Sequence, residues 1–385
     1  MKDQFVYLDY AAATPVDPKV LAAMTPFFSD AFYNPSAPYA PALEVRRQYE
    51  VAKSVIARAI GGRGDDTVVT AGATESIALA FASVDGHVIT ASIEHHAVLA
   101  AAKHKGDYTL VEPDARGVVS AAAVKEALRP DTQLVSIALA NNELGTIQPL
   151  RDIAEVVRAE RARRLDVGDA TPIYLHSDAS QGVGQLDVNV ARLGVDMLTL
   201  NASKVYGPKQ VGILWAAPMV VVKPLVFGGG QERGLRSGTE NVPGVIGFAR
   251  AMELAEKHRK SETERLGTLR DAMQSRLIDA FPEAVLSGHL RHRLSGHLHI
   301  SFPGLDAERV LFILESKGVL VATGSACAAN KGTRSHVLTA IGLAPEVADG
   351  SLRITLGKQS TSESLDYAAE QIIAAVRAEY ARKGQ

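Results

Sequence analysis

Residues 196–209 read Asp-Met-Leu-Thr-Leu-Asn-Ala-Ser-Lys-Val-Tyr-Gly-Pro-Lys, so a short apolar run ends in small polar residues, a lysine and a Gly-Pro turn. This pattern predicts a buried strand over Met197–Leu200, with Lys204 just beyond its carboxyl end. A lysine at the end of a buried strand is poorly solvated, so its charged form is disfavoured. It is a good candidate to form a Schiff base with an aldehyde.

A second apolar run, Ile173–His176, leads to Asp178 some 26 residues before Lys204. An acid at the end of a strand can pair with a protonated pyridine nitrogen. A lysine for an aldehyde and an acid for a ring nitrogen are the two protein groups that pyridoxal phosphate (PLP) chemistry requires. The two segments together therefore point to PLP as the cofactor.

Short apolar runs alternate with helical stretches from about residue 65 to residue 220. Strands are predicted at Thr67–Thr70, Val88–Thr90, Tyr108–Val111, Leu134–Leu139, Ile173–His176, Met197–Leu200 and Val211–Trp215. Helices are predicted at Thr74–Ser83, His96–His104, Ala121–Leu128 and Asp152–Arg163. The alternation predicts an α/β fold whose mainly parallel sheet is covered by helices on both faces. Such sheets bind ligands at the carboxyl ends of their strands, where the chain places Thr70, Glu94, Asn142, Asp178 and Lys204.

A run of three glycines, residues 228–230, interrupts this alternation. A long periodic helix is predicted next, at Val245–Phe281, and it leads into a smaller α+β region. That region has predicted strands at Leu298–Phe302 and Leu352–Thr355 and helices at Ala307–Lys317 and Ser362–Arg382. A chain of 385 residues favours two domains. We expect a large domain of residues 15–250 and a small one formed by residues 1–14 with 251–385.

The composition excludes several classes of protein. Hydrophobic residues make up 46%, and 41 Lys and Arg stand against 43 Asp and Glu, which argues against a dedicated nucleic-acid surface. The N-terminal stretch lacks the apolar core of a signal peptide, and the sequence has no apolar run of about 18 residues, so we expect no membrane span. The single cysteine, Cys327, rules out an intrachain disulfide and fits a reducing cytoplasm. Four arginines near a predicted helix end are expected to form a solvated face: Arg158, Arg161, Arg163 and Arg164.

Three further segments follow predicted strands. Residues 68–76 are predicted to form a strand, a small-residue turn and the start of a helix, where backbone N–H groups and the hydroxyl of Thr74 suit a phosphate. Alone, such a threonine is more often a helix cap. His95 could stack on a cofactor ring and move protons, or could cap its helix locally. Asn142 suits a hydrogen bond to a cofactor oxygen, although a plain turn explains the adjacent amides equally well.

Two residues near the C-terminus suggest a substrate site. Cys327 lies in the small, polar, glycine-flanked stretch 322–332, which predicts an exposed loop with an accessible thiolate. Arg353 interrupts an apolar strand, where it would bind a substrate carboxylate or form an internal salt bridge. The spacing of four histidines leaves a metal site open, but no carboxylate or cysteine completes it: His289, His292, His297 and His299.

These stretches together resemble the cysteine desulfurases of the NifS/IscS type, within the aminotransferase class V family. The matching stretches span almost the whole chain and are residues 7–15, 34–36, 72–76, 94–95, 141–143, 178–181, 204, 206–209, 228–241, 325–327 and 353. The resemblance implies the fold type I of PLP-dependent transferases, with a seven-stranded sheet and a smaller α+β domain that carries Cys327. The Ser-Ala-Cys context is similar to the desulfurase group that feeds iron–sulfur assembly and tRNA thiolation.

The resemblance also implies a role for each matching residue. Lys204 would bind PLP covalently, Asp178 would pair with the pyridinium nitrogen, and His95 would stack on the ring and shuttle protons. Asn142 and Gln181 would contact the ring hydroxyl. The phosphate would be held by Thr74, Asn201 and Ser203, and by Thr239 from the second subunit of a homodimer. Arg353, helped by Asn34, would bind the carboxylate of L-cysteine, and Cys327 would accept its sulfur. No role for a metal is implied.

Several positions depart from the family pattern. Family members typically read Ser-x-His-Lys before the PLP lysine, whereas this chain has Asn201-Ala202-Ser203-Lys204. The histidine expected after Asn34-Pro35-Ser36 is absent from residues 37–41, and Gln231 stands where some members have histidine. These changes bear on partner choice and rate more than on the type of reaction.

Two other activities remain open at this stage. One is a selenocysteine lyase or another PLP-dependent β-elimination lyase. The other is a non-catalytic sulfur-transfer scaffold, which only the substitutions at Asn201 and Ser203 favour. The sulfur acceptor is expected to be an iron–sulfur scaffold or a thiolation relay protein, and the sequence does not distinguish between them.

Overall fold

The computed structural model describes residues 5–324 and 334–384. Its strands are β1 Val6–Tyr7, β2 Thr67–Thr70, β3 His87–Ala91, β4 Tyr108–Val111, β5 Thr132–Ser136, β6 Tyr174–Asp178, β7 Met197–Asn201, β8 Gly212–Ala216, β9 Val285–Leu286, β10 His297–Ser301, β11 Val319–Leu320 and β12 Ser351–Thr355. Its α-helices are α1 Pro18–Met24, α2 Pro26–Ser29, α3 Ala40–Ala59, α4 Ala73–Ala82, α5 His96–Lys105, α6 Ala121–Glu126, α7 Leu150–Asp166, α8 Val190–Leu193, α9 Val242–Ala280, α10 Ala307–Ser316, α11 His336–Ala340, α12 Pro345–Ala348 and α13 Ser362–Lys383. Short 3-10 helices lie at Gly64–Asp66, Ala202–Lys204 and Glu232–Gly234.

Within these residues the large sheet has seven strands in the order β2-β8-β7-β6-β5-β3-β4. Every neighbouring pair from β7 to β4 is parallel, and β8 runs antiparallel to both β7 and β2. The predicted α/β fold with a mainly parallel sheet is therefore confirmed. The strand predicted at Leu134–Leu139 begins and ends earlier, at Thr132–Ser136, although Ile137 and Leu139 still donate backbone hydrogen bonds to the β6 strand.

Consecutive residues of the central strands point to opposite faces of the sheet, and both faces are buried. Val68, Val88 and Leu134 pack with α4 and α5 on one face. Their neighbours in sequence, Val69, Ile89 and Val135, pack with α1, α3, α7 and the first half of α9 on the other. Burial on both sides explains why these strands read as continuous apolar runs rather than as alternating patterns.

A second hydrophobic core lies around the antiparallel sheet β12-β10-β9. It contains side chains of α10 and α13, and also Leu266, Met273 and Leu277 from the second half of α9. The N-terminal segment joins this core, because Leu8 is buried in it and β1 pairs with β11. The division into residues 15–250 and residues 1–14 with 251–385 stays a prediction.

The described helices include none that is long and apolar enough to cross a membrane.

The expectation that the arginines of α7 form a solvated face is wrong for Arg164. Its side chain is only 1% exposed, and its guanidinium donates to the carbonyl oxygens of Thr132 at 2.9 Å and Arg129 at 3.1 Å. It also donates to the Glu160 carboxylate at 2.8 Å. The sequence predicted an exposed arginine because helix periodicity gives no information on the carbonyl oxygens near the start of β5, to which Arg164 donates. Arg164 therefore joins α7 to the start of β5.

We expect Arg164→Met to lower the free energy of unfolding by about 3 kcal/mol, because it leaves buried carbonyl oxygens without a donor. Arg163→Met is the matched control, since Arg163 binds the same Glu160 from the exposed side of α7, and its cost should stay within about 0.5 kcal/mol. Denaturant unfolding of both variants measures the difference. Equal costs would contradict the structural role given to Arg164.

Candidate active site

The carboxyl ends of the parallel strands deliver polar side chains into one cavity of about 230 Å³. Asp178 is the last residue of β6, and Lys204 ends the 3-10 helix that follows β7. His95 lies immediately before α5, and Thr74 lies in the first turn of α4. Eight of the predicted site residues line this cavity: Thr74, His95, Asn142, Asp178, Gln181, Asn201, Lys204 and Arg353.

Lys204 directs its amine at the N-terminal segment of the chain. Its Nζ donates hydrogen bonds to the carbonyl oxygens of Ala11 at 2.8 Å and Ala12 at 2.6 Å. Burial lowers the pKa of the Lys204 amine below its ordinary value, and the charge of Arg353 lowers it further, whereas Asp178 opposes both. The neutral, nucleophilic amine is therefore more accessible than in a solvated lysine.

Asp178 and two amide side chains form the wall beside Lys204. Asp178 Oδ1 accepts a hydrogen bond from the backbone N–H of Ser180 at 2.9 Å, which orients the carboxylate. The Gln181 amide donates to the Ala11 carbonyl oxygen at 3.1 Å, so Gln181 and Lys204 share one acceptor. Asn142 contributes to the same wall.

His95 forms the helix cap that was one of its two predicted alternatives, and the stacking role stays a prediction. Its Nδ1 accepts a hydrogen bond from the Ala97 N–H at 3.1 Å, so it caps α5. The ring also lines the cavity, at its exposed side. Partial removal of water lowers the pKa of His95 below its usual value, and Lys204 adds to this, whereas Asp178 opposes it. A neutral ring that accepts at Nδ1 carries its proton on Nε2.

The turn before α4 has the features of an anion site. Gly72 has a φ of +133°, a conformation that favours glycine, and α4 starts at the next residue. Thr74 lies in that first turn and faces the cavity. Unpaired N–H groups at a helix start attract a negative charge such as a phosphate. Thr70 was expected at the crevice, but its hydroxyl is instead buried 2.7 Å from the Ser76 hydroxyl.

Asn201 and Ser203 are hydrogen-bonded to each other, so the Ser203 hydroxyl is not a free donor to a ligand. Asn201 Oδ1 accepts from the Ser203 backbone N–H at 3.1 Å and from the Ser203 hydroxyl at 2.9 Å. Asn201 lines the cavity, whereas Ser203 does not within the described residues. The pair thus forms the tight turn that brings Lys204 into place.

Of its two predicted alternatives, Arg353 forms the internal salt bridge, and the binding of a substrate carboxylate stays a prediction. It is 2% exposed, and its Nη2 donates to Asp9 at 2.7 Å, so the internal salt bridge is present. Its Nη1 donates to the carbonyl oxygen of Asn142 at 3.2 Å. It also lines the cavity, and its Nε has no hydrogen-bond partner among residues 5–324 and 334–384.

Glu94 is a cavity residue to which sequence reasoning assigned no role. One carboxyl oxygen accepts the Ala138 N–H at 2.8 Å, and the other has no partner in the described part of the chain. Burial raises the pKa of Glu94 to about 8, and the nearby Asp178 carboxylate adds to this rise. A pKa of about 8 makes Glu94 predominantly a neutral acid at pH 7, which lowers its repulsion with the nearby Asp178. The sequence feature that could have indicated Glu94 is an acidic residue three positions after the end of the buried strand β3 at Ala91, directly following Ile93.

Other predicted residues lie apart from the cavity. Asn34 and Thr239 are exposed, and neither lines the cavity in the described ranges. Cys327 lies outside the described residues. His297 and His299 are buried on β10, and burial lowers the pKa of each to about 3. Within residues 5–324 and 334–384, His, Cys, Asp and Glu form no group of three or more placed to hold a metal ion.

The donor set of the cavity fits PLP. It offers an amine of lowered pKa in Lys204, a carboxylate in Asp178 and an imidazole face in His95. The helix start at Thr74 offers the environment that a phosphate needs. The four features meet at the carboxyl edge of one sheet, where a ligand could contact all of them.

Comparison with known proteins gives a consistent result. The model of the family described as aminotransferase class-V matches residues 6–367. A cysteine desulfurase IscS of Dictyoglomus turgidum is 41% identical over 373 residues, covering 94% of this chain and 92% of that protein. A solved structure of a NifS-like protein has a TM-score of 0.88 at 34% identity and covers 97% of this chain and 100% of its own. A second solved structure, SspA in complex with cysteine, has a TM-score of 0.78 at 37% identity and covers 91% and 98%.

The neutral state of Glu94 predicts a dependence of stability on pH. The folded-state pKa of about 8 lies above the unfolded value of about 4.3, so the folded protein binds the proton more tightly. Its contribution is fully present below about pH 4 and is lost as the pH rises towards 8. Glu94→Gln removes this loss, so we expect the free energy of unfolding of Glu94→Gln, relative to wild type, to rise from pH 5 to pH 8. The slope is at most about 1.4 kcal/mol per pH unit.

Denaturant unfolding of both proteins at pH 5, 6.5 and 8 measures this difference. Glu44→Gln is the control, since Glu44 is an exposed acid on α3 that pairs with Arg47. A difference between Glu94→Gln and wild type that does not change with pH would show that Glu94 is ionised in the folded protein.

Proposed function

Because this chain belongs to the aminotransferase class-V family, we propose that it is a PLP-dependent cysteine desulfurase that converts L-cysteine to L-alanine and transfers the sulfur to Cys327 as a persulfide. The observation that carries the proposal is the meeting of Lys204 and Asp178 in one cavity. The relative from Dictyoglomus turgidum supports it by its name, and the SspA structure supports cysteine as the substrate.

The reaction needs no external oxidant. The carbon–sulfur bond of cysteine breaks while a sulfur–sulfur bond forms to Cys327, so the sulfur is oxidised and the β-carbon is reduced and takes up a proton. PLP, when bound, withdraws the electron pair of the α-carbon and makes this exchange possible. The remaining tasks are to bind cysteine, to move protons and to present the Cys327 thiolate.

Lys204 is the proposed base at the α-carbon. It would hold the cofactor covalently until the substrate amine displaces it, and the freed amine would then take the α-proton. The lowered pKa suits it to this task, because an amine that is always protonated cannot accept a proton. Asp178 would hold a proton on the ring nitrogen through its carboxylate.

His95 is the proposed acceptor of the substrate thiol proton. The lowered pKa keeps the ring neutral near pH 7, and the nitrogen that can accept a proton is Nδ1, which accepts from the Ala97 N–H. Taking up the thiol proton at Nδ1 would therefore replace that hydrogen bond. Proton exchange would pass through the ring, which lies at the open side of the cavity. Thr74 and Asn201 would hold the phosphate with Ser203 supporting Asn201, and Asn142 and Gln181 would contact the ring hydroxyl.

Arg353 is the proposed ligand of the substrate carboxylate, with Asn34 as its helper. Its position in the cavity supports this role. Because Nη2 already binds Asp9, the substrate would share the guanidinium with that acid. Neutralisation by both anions is consistent with a buried arginine.

Several finer points are part of the same proposal. We propose a homodimer in which Thr239 of one copy reaches the phosphate in the other, a cytoplasmic location, and an acceptor protein that is an iron–sulfur scaffold or a thiolation relay. The alternatives are a selenocysteine lyase or other β-elimination lyase, which would release its product without Cys327, and a non-catalytic sulfur-transfer scaffold, which would not turn over cysteine.

Lys204→Ala should abolish alanine formation, with a loss of at least about 1,000-fold, because among the described residues no other lysine lines the cavity to bind the cofactor and take the α-proton. The visible absorption of the bound cofactor should shift at the same time. Absorption spectra with added PLP and an alanine assay measure both effects. Lys209→Ala, a second lysine of the same segment, is the control and should retain activity. An active Lys204→Ala variant would remove Lys204 from its role.

Cys327→Ser should keep the cofactor absorption and lose at least about 100-fold in desulfuration of L-cysteine, because serine offers no thiolate to accept the sulfur. Alanine and sulfide formed from L-cysteine with a reductant are measured beside wild type. Equal activity of the two proteins would favour the β-elimination lyase. No activity in either protein, although PLP binds, would favour the scaffold.

A further inference from the structure

In sequence, Cys327 belongs to segment 325–333. The described residues on both sides of this segment form hydrogen bonds with residues that line the cavity. On the upstream side, Ala322 and Arg353 exchange backbone hydrogen bonds of 3.2 and 2.7 Å. On the downstream side, the His336 Nε2 lies 2.9 Å from the carbonyl oxygen of Glu94. Both flanks of the segment 325–333 are therefore tied to residues that line the cavity.

Glu143 contacts both flanks at once. It is fully buried, and its Oε2 accepts a hydrogen bond of 2.6 Å from the Ser335 hydroxyl. The same carboxylate lies against Gly324 on the other flank, where an added Cβ would come within 3.1 Å of Oε2. The buried Glu143 side chain thus lies between Gly324, before segment 325–333, and Ser335, after it.

Glu143 is also connected to the cavity through its neighbours in sequence. Glu143 directly follows Asn142, and its backbone N–H donates to Asn141 Oδ1 at 2.9 Å. The Asn141 side chain is fixed in turn by donation to the Ile93 carbonyl oxygen at 2.8 Å. Asn141, Asn142 and Ile93 all line the cavity. A displacement of Glu143 would therefore move the flanks of the segment relative to the cavity.

A purely structural role does not account for this choice of residue. The second carboxyl oxygen of Glu143, Oε1, is buried without a hydrogen-bond partner in the described ranges. An unsatisfied buried oxygen costs stability, so an apolar side chain would serve packing alone better. A carboxylate accepts stronger hydrogen bonds than a neutral group, and this strength is useful where two flanks must be held in a fixed place.

We propose that Glu143 is a positioning residue that fixes the two described flanks of segment 325–333 beside the cavity, by holding Ser335 on one flank and contacting Gly324 on the other, and that it thereby governs the rate of sulfur transfer to Cys327. The inference rests on the proposed desulfurase function. Transfer of sulfur requires the thiolate to approach the substrate sulfur in line, and a displacement of about 1 Å can cost on the order of 100-fold in rate. Glu143 should therefore affect sulfur transfer and leave cofactor and substrate binding unchanged.

The test compares the PLP-loaded wild type with Glu143→Ala and Glu143→Gln in a single turnover with L-cysteine. Persulfide on Cys327 is followed by the mass increase of one sulfur, and cysteine binding by the change in cofactor absorption. We expect Glu143→Ala to slow persulfide formation at least 10-fold with the apparent Kd for cysteine within twofold of wild type. Glu143→Gln keeps an acceptor for Ser335 and should recover part of the rate, because a neutral amide accepts a weaker hydrogen bond than a carboxylate. A wild-type rate in Glu143→Ala, or a cysteine affinity that falls together with the rate, would overturn the proposal.

Three further variants distinguish a lost contact from a general folding defect. Ser335→Ala removes the donor and should slow persulfide formation in the same direction, and the double variant with Glu143→Ala should be no slower than Glu143→Ala alone. Additive losses would contradict a shared contact. Ser301→Ala is the control, since it removes a buried hydroxyl that has no partner in the described residues, and it should react at the wild-type rate.

Hydrogen exchange separates this proposal from the proposed function. The backbone amides of residues 322–324 and 334–338 should exchange faster in Glu143→Ala than in wild type, whether or not the protein desulfurates cysteine. Unchanged exchange at these amides would overturn the role of Glu143 as a holding group. A wild type that forms no persulfide, with faster exchange in the variant, would instead contradict the desulfurase function and leave the holding contact supported.

Discussion

The arrangement of the cavity depends on the burial of the Lys204 amine against the carbonyl oxygens of Ala11 and Ala12. A buried amine is tolerated only where acceptors replace the water that it loses. These acceptors come from the N-terminal segment, which is also held by Thr14, whose hydroxyl donates to the Ser203 carbonyl oxygen at 2.9 Å and accepts from the Tyr206 N–H at 2.8 Å. The first residues of the fold thus complete a site built mainly by the central sheet.

The same segment connects this site to the second hydrophobic core. Leu8 is buried in that core, and its neighbour Asp9 binds Arg353 of β12. Arg353 then contacts the loop after β5 through the Asn142 carbonyl oxygen. An arginine in an apolar strand therefore joins two cores, and its charge is offset by Asp9. This offset also explains how Lys204 and Arg353 can share one cavity, because the positive charge near the amine is partly neutralised.

The sequence predicted the sheet and the strand ends because both leave local patterns. Buried parallel strands appear as apolar runs, and a change to small or polar residues marks where they end, as at Asp178 and Lys204. The side-chain partners could not be predicted, because they depend on chain segments far apart in sequence. The pairing of Arg353 with Asp9, the burial of Arg164 and the raised pKa of Glu94 all arise from such contacts. Helix and strand periodicity reports which face is apolar, and it carries no information on these partners.

The substitution of Asn201 and Ser203 for the family pattern has a physical explanation in the turn that precedes Lys204. An asparagine that accepts from the backbone and hydroxyl of the residue two positions later forms a compact turn, as Asn201 does with Ser203. The next constraint is Tyr206, whose φ of +63° is unusual for a residue with a side chain and is held by the Lys358 N–H, which donates to its hydroxyl at 2.7 Å. The Ser203 hydroxyl donates to Asn201 and is therefore not available as a donor to a phosphate in this arrangement. Under the proposed function, the start of α4 at Thr74 would supply a larger share of phosphate binding than it would with a histidine at position 203.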